Sequence, residues 1–258
     1  MRNRMIALLA IGTFLLAALP AAENPFVGKW KFSLSKSKVT GQHDSVQSVG
    51  PNKFKFTYGT FSWTITANGT DQPGPFGTIA MTIADANTWK FNNKVKGITV
   101  STETWTLAAD GKSMVRAEQG KRHDGSSFQN ETKYNRTAGG KSFEGTWQSS
   151  ESKMNSPSEV TITANGDDGL TETVGTDNLT VSYKFDGAEY PIKGPQVPEG
   201  MTVTAKRTGP RRLRMTTRLK GKLLDTADIT ISPDGKTRTI VARDPGEKEP
   251  FVAVYELQ

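Results

Sequence analysis

The sequence predicts an all-β protein, built as two tandem antiparallel up-and-down β-barrels behind an N-terminal signal peptide. Three observations lead to this prediction. The chain repeats itself after 117 residues, its segments alternate polar and apolar residues over short lengths, and its turns are rich in Asn-Gly and Asp-Gly pairs. A period of this length is typical of a duplicated domain, since solenoid units repeat every 20 to 50 residues or so.

The repeat is clearest where each half opens. The first half begins with Phe26-Val27-Gly28-Lys29-Trp30, and the second half begins with the corresponding segment Phe143-Glu144-Gly145-Thr146-Trp147. Smaller echoes follow in the same order: Met81-Thr82-Ile83 with Met201-Thr202-Val203, Ala109-Asp110-Gly111-Lys112 with Pro233-Asp234-Gly235-Lys236, and Lys133-Tyr134-Asn135 with Val254-Tyr255-Glu256. The sequence therefore predicts one barrel over residues 23–137 and a second over residues 141–258, joined by a short Gly-rich segment.

Residues 1–22 belong to neither unit. A basic start is followed by a largely apolar run over residues 5–19 and then by Pro20-Ala21-Ala22. This pattern is that of a cleaved secretory signal peptide, too short to span a membrane comfortably. The protein is therefore expected to be secreted or periplasmic, with no transmembrane anchor once the signal is removed. The chain has no cysteine, which excludes disulfides and lipid attachment to a cysteine.

The mature sequence shows no sustained helical periodicity. Short segments rich in Thr, Val, Ile and aromatic residues are separated by turns such as Asn68-Gly69, Asp110-Gly111 and Asp234-Gly235. Such pairs tolerate the positive φ of tight hairpin turns, so each unit is predicted to hold eight or nine sequential antiparallel strands. The glycine of each Phe-x-Gly-x-Trp motif lets the first strand bend, and the tryptophan can then plug one end. This detail favours a barrel over a sandwich.

The opening motifs and the terminal Val254-Tyr255-Glu256 resemble the first and last strands of fatty-acid-binding proteins and lipocalins, the calycin group. Two copies behind a signal peptide are also similar to a set of uncharacterised exported bacterial proteins. The resemblance implies a lipocalin-like barrel with a ligand in its interior. Thr132 and Ala253 replace the carboxylate-gripping arginine of fatty-acid-binding proteins, and Arg136 matches the lipocalin arginine that stacks on the tryptophan, where the second unit has Leu257.

The alternation of the last strands selects candidate ligand residues. Tyr134 and Tyr255 are expected to face inward as polar handles, and Asn130 and Thr132 share the face of Tyr134. The function predicted from these features is that of an exported, non-enzymatic lipocalin-like protein that holds a small amphipathic or apolar ligand in one or both barrels.

Catalytic chemistry finds little support in the sequence. Only two histidines exist, and both His43 and His123 precede an aspartate in turn-like or loop-like segments. No glycine-rich phosphate loop opens a helix, and Asp167-Asp168 lies in a turn string without the alternating oxygen ligands of a calcium site. We therefore predict no catalytic residues, no metal site and no cofactor. A hydrolase or isomerase remains an alternative only if the two histidines come within mutual reach.

A rival function comes from a cationic strip between residues 206 and 222. It contains no acidic residue and the following basic ones: Lys206, Arg207, Arg211, Arg212, Arg214, Arg218, Lys220 and Lys222. The alternative is a structural or interaction module of the cell envelope whose barrels are filled by their own side chains and whose strip contacts acidic polysaccharide or lipid headgroups. The strip has no aromatic residue to stack on bases, so no nucleic-acid partner is expected.

Overall fold

A computed structural model describes residues 24–155 and 158–258 and confirms the all-β fold class. The predicted signal peptide, residues 1–22, lies outside the described residues. Helical structure is limited here to two three-residue 3-10 turns, Leu34–Lys36 and Gly175–Asp177. Within the described ranges no helix is long and apolar enough to cross a membrane.

Twenty strands follow one another within the described residues. The first ten are β1 (Gly28–Phe32), β2 (His43–Gly50), β3 (Lys53–Tyr58), β4 (Phe61–Thr66), β5 (Gln72–Pro73), β6 (Thr78–Asp85), β7 (Thr88–Val95), β8 (Ile98–Leu107), β9 (Ser113–Lys121) and β10 (Ser127–Ala138). The second ten are β11 (Gly145–Met154), β12 (Glu159–Ala164), β13 (Gly169–Val174), β14 (Leu179–Lys184), β15 (Tyr190–Pro191), β16 (Met201–Gly209), β17 (Arg212–Leu219), β18 (Lys222–Ile231), β19 (Thr237–Arg243) and β20 (Phe251–Leu257).

The strands form two antiparallel ten-stranded sheets, each curled into a nearly closed barrel. Barrel 1 has the order β4-β3-β2-β11-β10-β9-β8-β7-β6-β5, and barrel 2 has the order β14-β13-β12-β1-β20-β19-β18-β17-β16-β15. Neighbouring strands are mostly consecutive in sequence, as predicted for an up-and-down topology. Each barrel encloses its own apolar core.

The last gap in each barrel is closed in a different way. In barrel 1 the amide of Gln72 acts as a strand mimic, since its Oε1 accepts the Thr66 backbone N–H at 2.8 Å and its Nε2 donates to the Thr66 carbonyl at 2.6 Å. In barrel 2 the backbone groups of Thr180 and Lys193 exchange two hydrogen bonds of 2.8 Å. Each contact satisfies edge groups that an open sheet would expose to other chains.

The tryptophan-bearing strands are exchanged between the two sequence repeats. β1 pairs with β12 and β20, so Trp30 lies in the core of barrel 2, whereas β11 pairs with β10 and β2 and places Trp147 in the core of barrel 1. We expected each unit to close around its own tryptophan, and the strand pairing corrects this. Residues 23–137 and 141–258 are the sequence repeats, but neither range coincides with one barrel, because β1 lies in barrel 2 and β11 lies in barrel 1.

Chain connectivity explains the exchange. Only residues 139–144 separate β10 from β11, and strands joined by so short a connection pair as neighbours. Barrel 1 is therefore one continuous stretch, residues 43–154, whose tryptophan-bearing strand comes last. Barrel 2 is split: residues 28–32 join residues 159–257, and barrel 1 is inserted between its first two strands.

The Phe-x-Gly-x-Trp motif has the same geometry in both barrels. The indole Nε1 of Trp30 donates to the Phe26 carbonyl at 3.0 Å, and the indole Nε1 of Trp147 donates to the Phe143 carbonyl at 2.8 Å. The glycine between them has a positive φ, +136° at Gly145, and a Cβ there would come within 2.3 Å of a backbone oxygen. Only glycine allows this bend.

Arg136 stacks on a tryptophan, as the resemblance implied, but the ring is Trp147 of the second repeat and not Trp30 of its own repeat. Its guanidinium carbon lies 4.0 Å from the Trp147 ring centroid, and its Nε donates to the Gly111 carbonyl at 2.6 Å. Barrel 2 has no arginine at this place. Leu257 pairs with Trp30 instead, as the sequence of the second unit indicated.

Strand register corrects one echo noted in the sequence. Met81 pairs with Phe91 in barrel 1, and the residues that occupy these places in barrel 2 are Ala205 and Met215. Met81-Thr82-Ile83 and Met201-Thr202-Val203 are therefore four positions out of step. The resemblance between them arose from the common composition of β-strands rather than from the duplication.

The insertion predicts which fragments fold. A fragment of residues 41–155 contains all ten strands of barrel 1, with both Phe143 and Trp147, and we expect it to unfold cooperatively and to give a dispersed amide NMR spectrum. A fragment of residues 24–140, one sequence repeat, lacks β11 and leaves Trp30 without its core, so it should be largely unfolded or associated. A cooperative monomer of the second fragment, with the first insoluble, would contradict the exchange.

Candidate ligand cavity in barrel 1

Barrel 1 contains a cavity of about 430 Å³ above its aromatic core. This volume lies in the range of small-molecule sites, about 300 to 1,000 Å³. Strands on all sides of the barrel contribute to its wall, and the loop between β5 and β6 lines its mouth with Pro75 and Phe76. The interior of barrel 1 is therefore only partly filled by its own side chains.

Most of the wall is aromatic or aliphatic. Six rings line the cavity: Phe56, Tyr58, Trp63, Phe76, Trp105 and Tyr134. Phe56 and Trp63 stack with centroids 5.7 Å apart, and Phe56 also meets Trp105 edge to face at 5.9 Å. Inward-facing positions of successive strands place these rings together, because side chains alternate between the two faces of a strand. A ligand with an apolar or aromatic body fits such a wall.

One ion pair lies on the cavity wall. The Nη1 of Arg116 donates to Asp44, and the guanidinium carbon lies between two rings, 3.7 Å from the centroid of Trp105 and 4.0 Å from that of Tyr134. The Nε and Nη2 of this arginine are buried without a hydrogen-bond partner. Burial raises the pKa of Tyr134 to about 12, although the positive charge of Arg116 opposes the shift.

Two glutamates face each other across neighbouring strands of the same wall. Glu103 on β8 pairs in register with Glu118 on β9, and both side chains line the cavity. Glu103 accepts hydrogen bonds from Trp105 Nε1 at 2.8 Å and from Asn93 Nδ2 at 3.1 Å. Burial raises its pKa, and the charge of Glu118 adds to the shift.

A loop of barrel 2 is docked beside this cavity. Tyr58, which lines the cavity, donates its hydroxyl hydrogen to Asp244 at 2.7 Å, and His43 Nδ1 lies 3.1 Å from Glu247. Burial raises the pKa of Tyr58, and the hydrogen bond to Asp244 adds to this effect. The link between β19 and β20 thus contacts the start of β2 and the end of β3 in barrel 1.

The four predicted ligand residues occupy different places. Tyr134 lines the cavity, whereas Asn130 and Thr132 are not part of its wall. Asn130 supports it indirectly, since its Nδ2 donates to Glu118 at 3.1 Å. Tyr255 packs against the core of barrel 2, with its ring 5.5 Å from that of Phe32.

Sequence reasoning missed Asp44, Glu103, Arg116 and Glu118. The signal was present in β8, where Glu103 shares the inward face with Trp105 and Leu107. A charged residue on an apolar face is costly unless it is paired or has a function.

The duplication supplies an internal comparison for this wall. Aligning the two barrels by strand register places an apolar residue of barrel 2 at each polar position. The equivalent pairs are Asp44 and Val160, Glu103 and Ala227, Arg116 and Ile240, Glu118 and Ala242, and Asn130 and Phe251. Barrel 2 therefore packs apolar side chains where barrel 1 carries its charged wall.

Barrel 2 has its own ion pair one layer nearer its tryptophan. Arg238 Nη2 lies 2.9 Å from Glu172, and the Tyr183 hydroxyl donates to the same carboxylate at 2.5 Å. By register, Glu172 and Arg238 stand where barrel 1 has Phe56 and Met114. Arg238 is only 4% exposed, so this pair fills the interior of barrel 2.

A second space, of about 510 Å³, lies outside barrel 1. It is a groove over the outer faces of β8 to β11, lined by residues such as Thr102, Gln119 and Glu131. Most of its side chains are polar and exposed to solvent. We regard it as a surface groove, because it lacks the apolar enclosure of a small-molecule site.

The basic strip lies on β16, β17 and the start of β18, where several of its charges are paired. Arg214 lies 2.8 Å from Asp228, and Arg218 lies 3.7 Å from Glu189. Lys222 reaches barrel 1, where it bonds the Thr60 carbonyl and lies 4.2 Å from the Phe61 ring centroid. Part of the strip therefore serves contacts within the molecule, and polyanion binding stays a prediction.

The two histidines occupy separate surroundings. His43 contacts Glu247, whereas His123 lies in the turn between β9 and β10. In the part of the chain that the structure describes, no group of three His, Cys, Asp or Glu side chains is placed to hold a metal ion. Comparison with known protein families and with curated proteins finds no match to this sequence.

Asp225 allows a test of the electrostatics in barrel 2. Burial raises its pKa to about 6, while the Thr217 hydroxyl, which donates at 3.3 Å, partly opposes the shift. The folded state therefore binds this proton more tightly than the unfolded chain, where the pKa of aspartate is about 3.9. The ionised group destabilises the fold above pH 6, and this penalty is lost as the pH falls from about 6 to 4.

We expect Asp225→Asn to raise the free energy of unfolding at pH 7 by about 1–2 kcal/mol and to give little gain at pH 4.5. Urea unfolding of wild type and variant at both pH values measures the difference. Asp228→Asn is the control, because Arg214 lowers the pKa of Asp228 and its removal should not stabilise the fold. Equal effects of Asp225→Asn at the two pH values would show that Asp225 has no raised pKa.

Proposed function

We propose that this chain is an exported, non-enzymatic binding protein that holds a small amphipathic ligand in the cavity of barrel 1. The observation that carries the proposal is the cavity of about 430 Å³, with an aromatic wall and a few charged groups on one side. Ligand sites of this kind combine an apolar enclosure with a small number of oriented polar groups. Export rests on the signal-like pattern of residues 1–22.

The internal comparison supports a binding function for barrel 1 in particular. Barrel 2 places Ala227, Ile240 and Ala242 at the positions of the charged wall, and Ile240 packs against its core. A barrel of this design thus folds with apolar residues there. Charges buried in barrel 1 cost folding free energy, and they border an open cavity, whereas the Glu172–Arg238 pair fills the interior of barrel 2; we therefore attribute the charges of barrel 1 to ligand binding.

Barrel 2 fits the alternative function, that of a structural module whose interior is filled by its own side chains. Its interior is filled by its core and its buried ion pair, and its loop at Asp244 and Glu247 contacts Tyr58 and His43 of barrel 1. We propose that barrel 2 supports the binding barrel rather than binding a second ligand. Contact of the basic strip with acidic polysaccharide or lipid headgroups remains an untested alternative for this half.

Ligand binding is tested by filling the cavity. Full-length protein and an Ile79→Trp variant are incubated with a small-molecule extract of the cells that make the protein, and bound compounds are identified by native mass spectrometry. Ile79 lines the cavity, so the larger indole side chain should fill part of it. We expect bound ligand to fall about tenfold or more, because the ligand loses apolar contact area.

Thr102→Trp is the matched control, because Thr102 lies on the outer face of β8, in the surface groove. It should retain the ligand, and both variants should keep the thermal unfolding midpoint of a folded barrel. A compound that binds all three proteins equally would place the ligand elsewhere. The absence of any retained compound from the wild type would count against the proposed function.

A further inference from the structure

The charges of the cavity wall indicate which ligands it accepts. Three carboxylates line the cavity, Asp44, Glu103 and Glu118, against two cations, Arg116 and Lys94. Both cations are already matched: Arg116 bonds Asp44, and Lys94 Nζ lies 2.7 Å from Asp71. Among the described residues neither Glu103 nor Glu118 forms a salt bridge, although the charge of Arg116 acts on Glu103 from a greater distance and partly opposes the rise in its pKa that burial causes.

Glu103 and Glu118 lie directly opposite each other on adjacent strands. As register partners on adjacent strands with both side chains inward, they have Cβ atoms about 4.5–5.5 Å apart, where like charges repel. Of the two oxygens of Glu118, Oε2 accepts from Asn130, and no group among the described residues donates to Oε1. A positive group placed between them would relieve the repulsion, strongly so inside a low-dielectric cavity.

The surrounding rings favour the same kind of group. Trp105, Tyr134 and Trp63 line the cavity beside the glutamates, and the faces of such rings attract organic cations. The wall already shows this preference, since Trp105 and Tyr134 hold the Arg116 guanidinium between them.

A carboxylate ligand fits the wall poorly. The Nε and Nη2 of Arg116 are buried without a hydrogen-bond partner, and the rings of Trp105 and Tyr134 cover the guanidinium. A fatty acid would therefore bring its charge toward Glu103 and Glu118 without reaching the arginine. This agrees with Thr132 standing where fatty-acid-binding proteins carry their carboxylate-gripping arginine.

We infer that the ligand of barrel 1 is a small organic cation, an amine or quaternary ammonium on an apolar or aromatic body, seated between Glu103 and Glu118. The inference rests on the proposed function, because it names the ligand class of the same cavity. The acidic pair alone would not define a site. The cavity with its aromatic wall defines the site, and the pair selects the charge of the ligand.

A charge series of matched size tests the inference. Full-length protein is titrated with 2-phenylethylamine, 2-phenylethanol and phenylacetate, and dissociation constants are measured by calorimetry and by NMR. We expect the amine to bind about tenfold or more tightly than the other two. In a Glu103→Gln/Glu118→Gln variant this preference should fall to within about twofold, whereas Glu151→Gln, at an exposed position of β11, should leave it unchanged.

The outcomes separate this inference from the proposed function. Alcohol or phenylacetate binding as tightly as the amine, with binding lost in Ile79→Trp, would overturn the cationic class and leave the cavity as the ligand site. No saturable binding of any probe to wild type would count against both. The double variant should fold, because barrel 2 folds with Ala227 and Ala242 at the equivalent positions, and circular dichroism checks this.

Discussion

The structure depends on the strand that carries each Phe-x-Gly-x-Trp motif, because this strand both closes the sheet and fills the core. It lies between β2 and β10 in barrel 1 and between β12 and β20 in barrel 2, and its tryptophan is fully buried. A barrel without it would lose a central ladder and its largest core side chain together. The chain contains two copies of the motif, so each barrel takes one of the two strands that carry them. The short connection after β10 decides which strand enters which barrel, because β11 follows β10 so closely that it pairs beside it in the same sheet. Barrel 2 is then completed by β1, the strand that precedes barrel 1 in the sequence.

This arrangement couples the two barrels covalently at two points and by side chains at others. The chain passes from β1 to β2 and from β11 to β12, so each crossing carries it between barrels. Around these crossings, Tyr58 bonds Asp244 and Arg122 Nη1 lies 2.8 Å from Asp177. Because Tyr58 also lines the cavity, the contact between barrels and the ligand site share a residue. Rigid support of a binding wall is what allows its side chains to be held ready for a ligand.

Local rules predicted most of the fold. The strand alternation and turn residues were enough for an up-and-down barrel, and the Arg136 stacking followed from a family likeness. The strand exchange was not predicted, because each motif was assigned to its own repeat; the short connection between β10 and β11, which favours pairing of these two strands, was the signal for it. The candidate site was predicted only at Tyr134. Glu103 and Glu118 could have been found by asking which charged residues share a face with Trp105, but their opposition depends on the β8–β9 register, which turn geometry sets. Asp44 faces Arg116 from distant strands, and only closure brings them together.

The two barrels show how duplication separates stability from binding. Val160 and Ile240 in barrel 2 stand where Asp44 and Arg116 lie in barrel 1. A single barrel must balance a packed interior, which stabilises the fold, against an open charged wall, which costs folding free energy. With two barrels in one chain, these demands can be met by different barrels. Barrel 1 contains all ten of its own strands, so its closure does not depend on barrel 2. Barrel 2 is free to keep a packed interior and to hold barrel 1 by contacts such as that between Asp244 and Tyr58, while the charged wall stays in barrel 1.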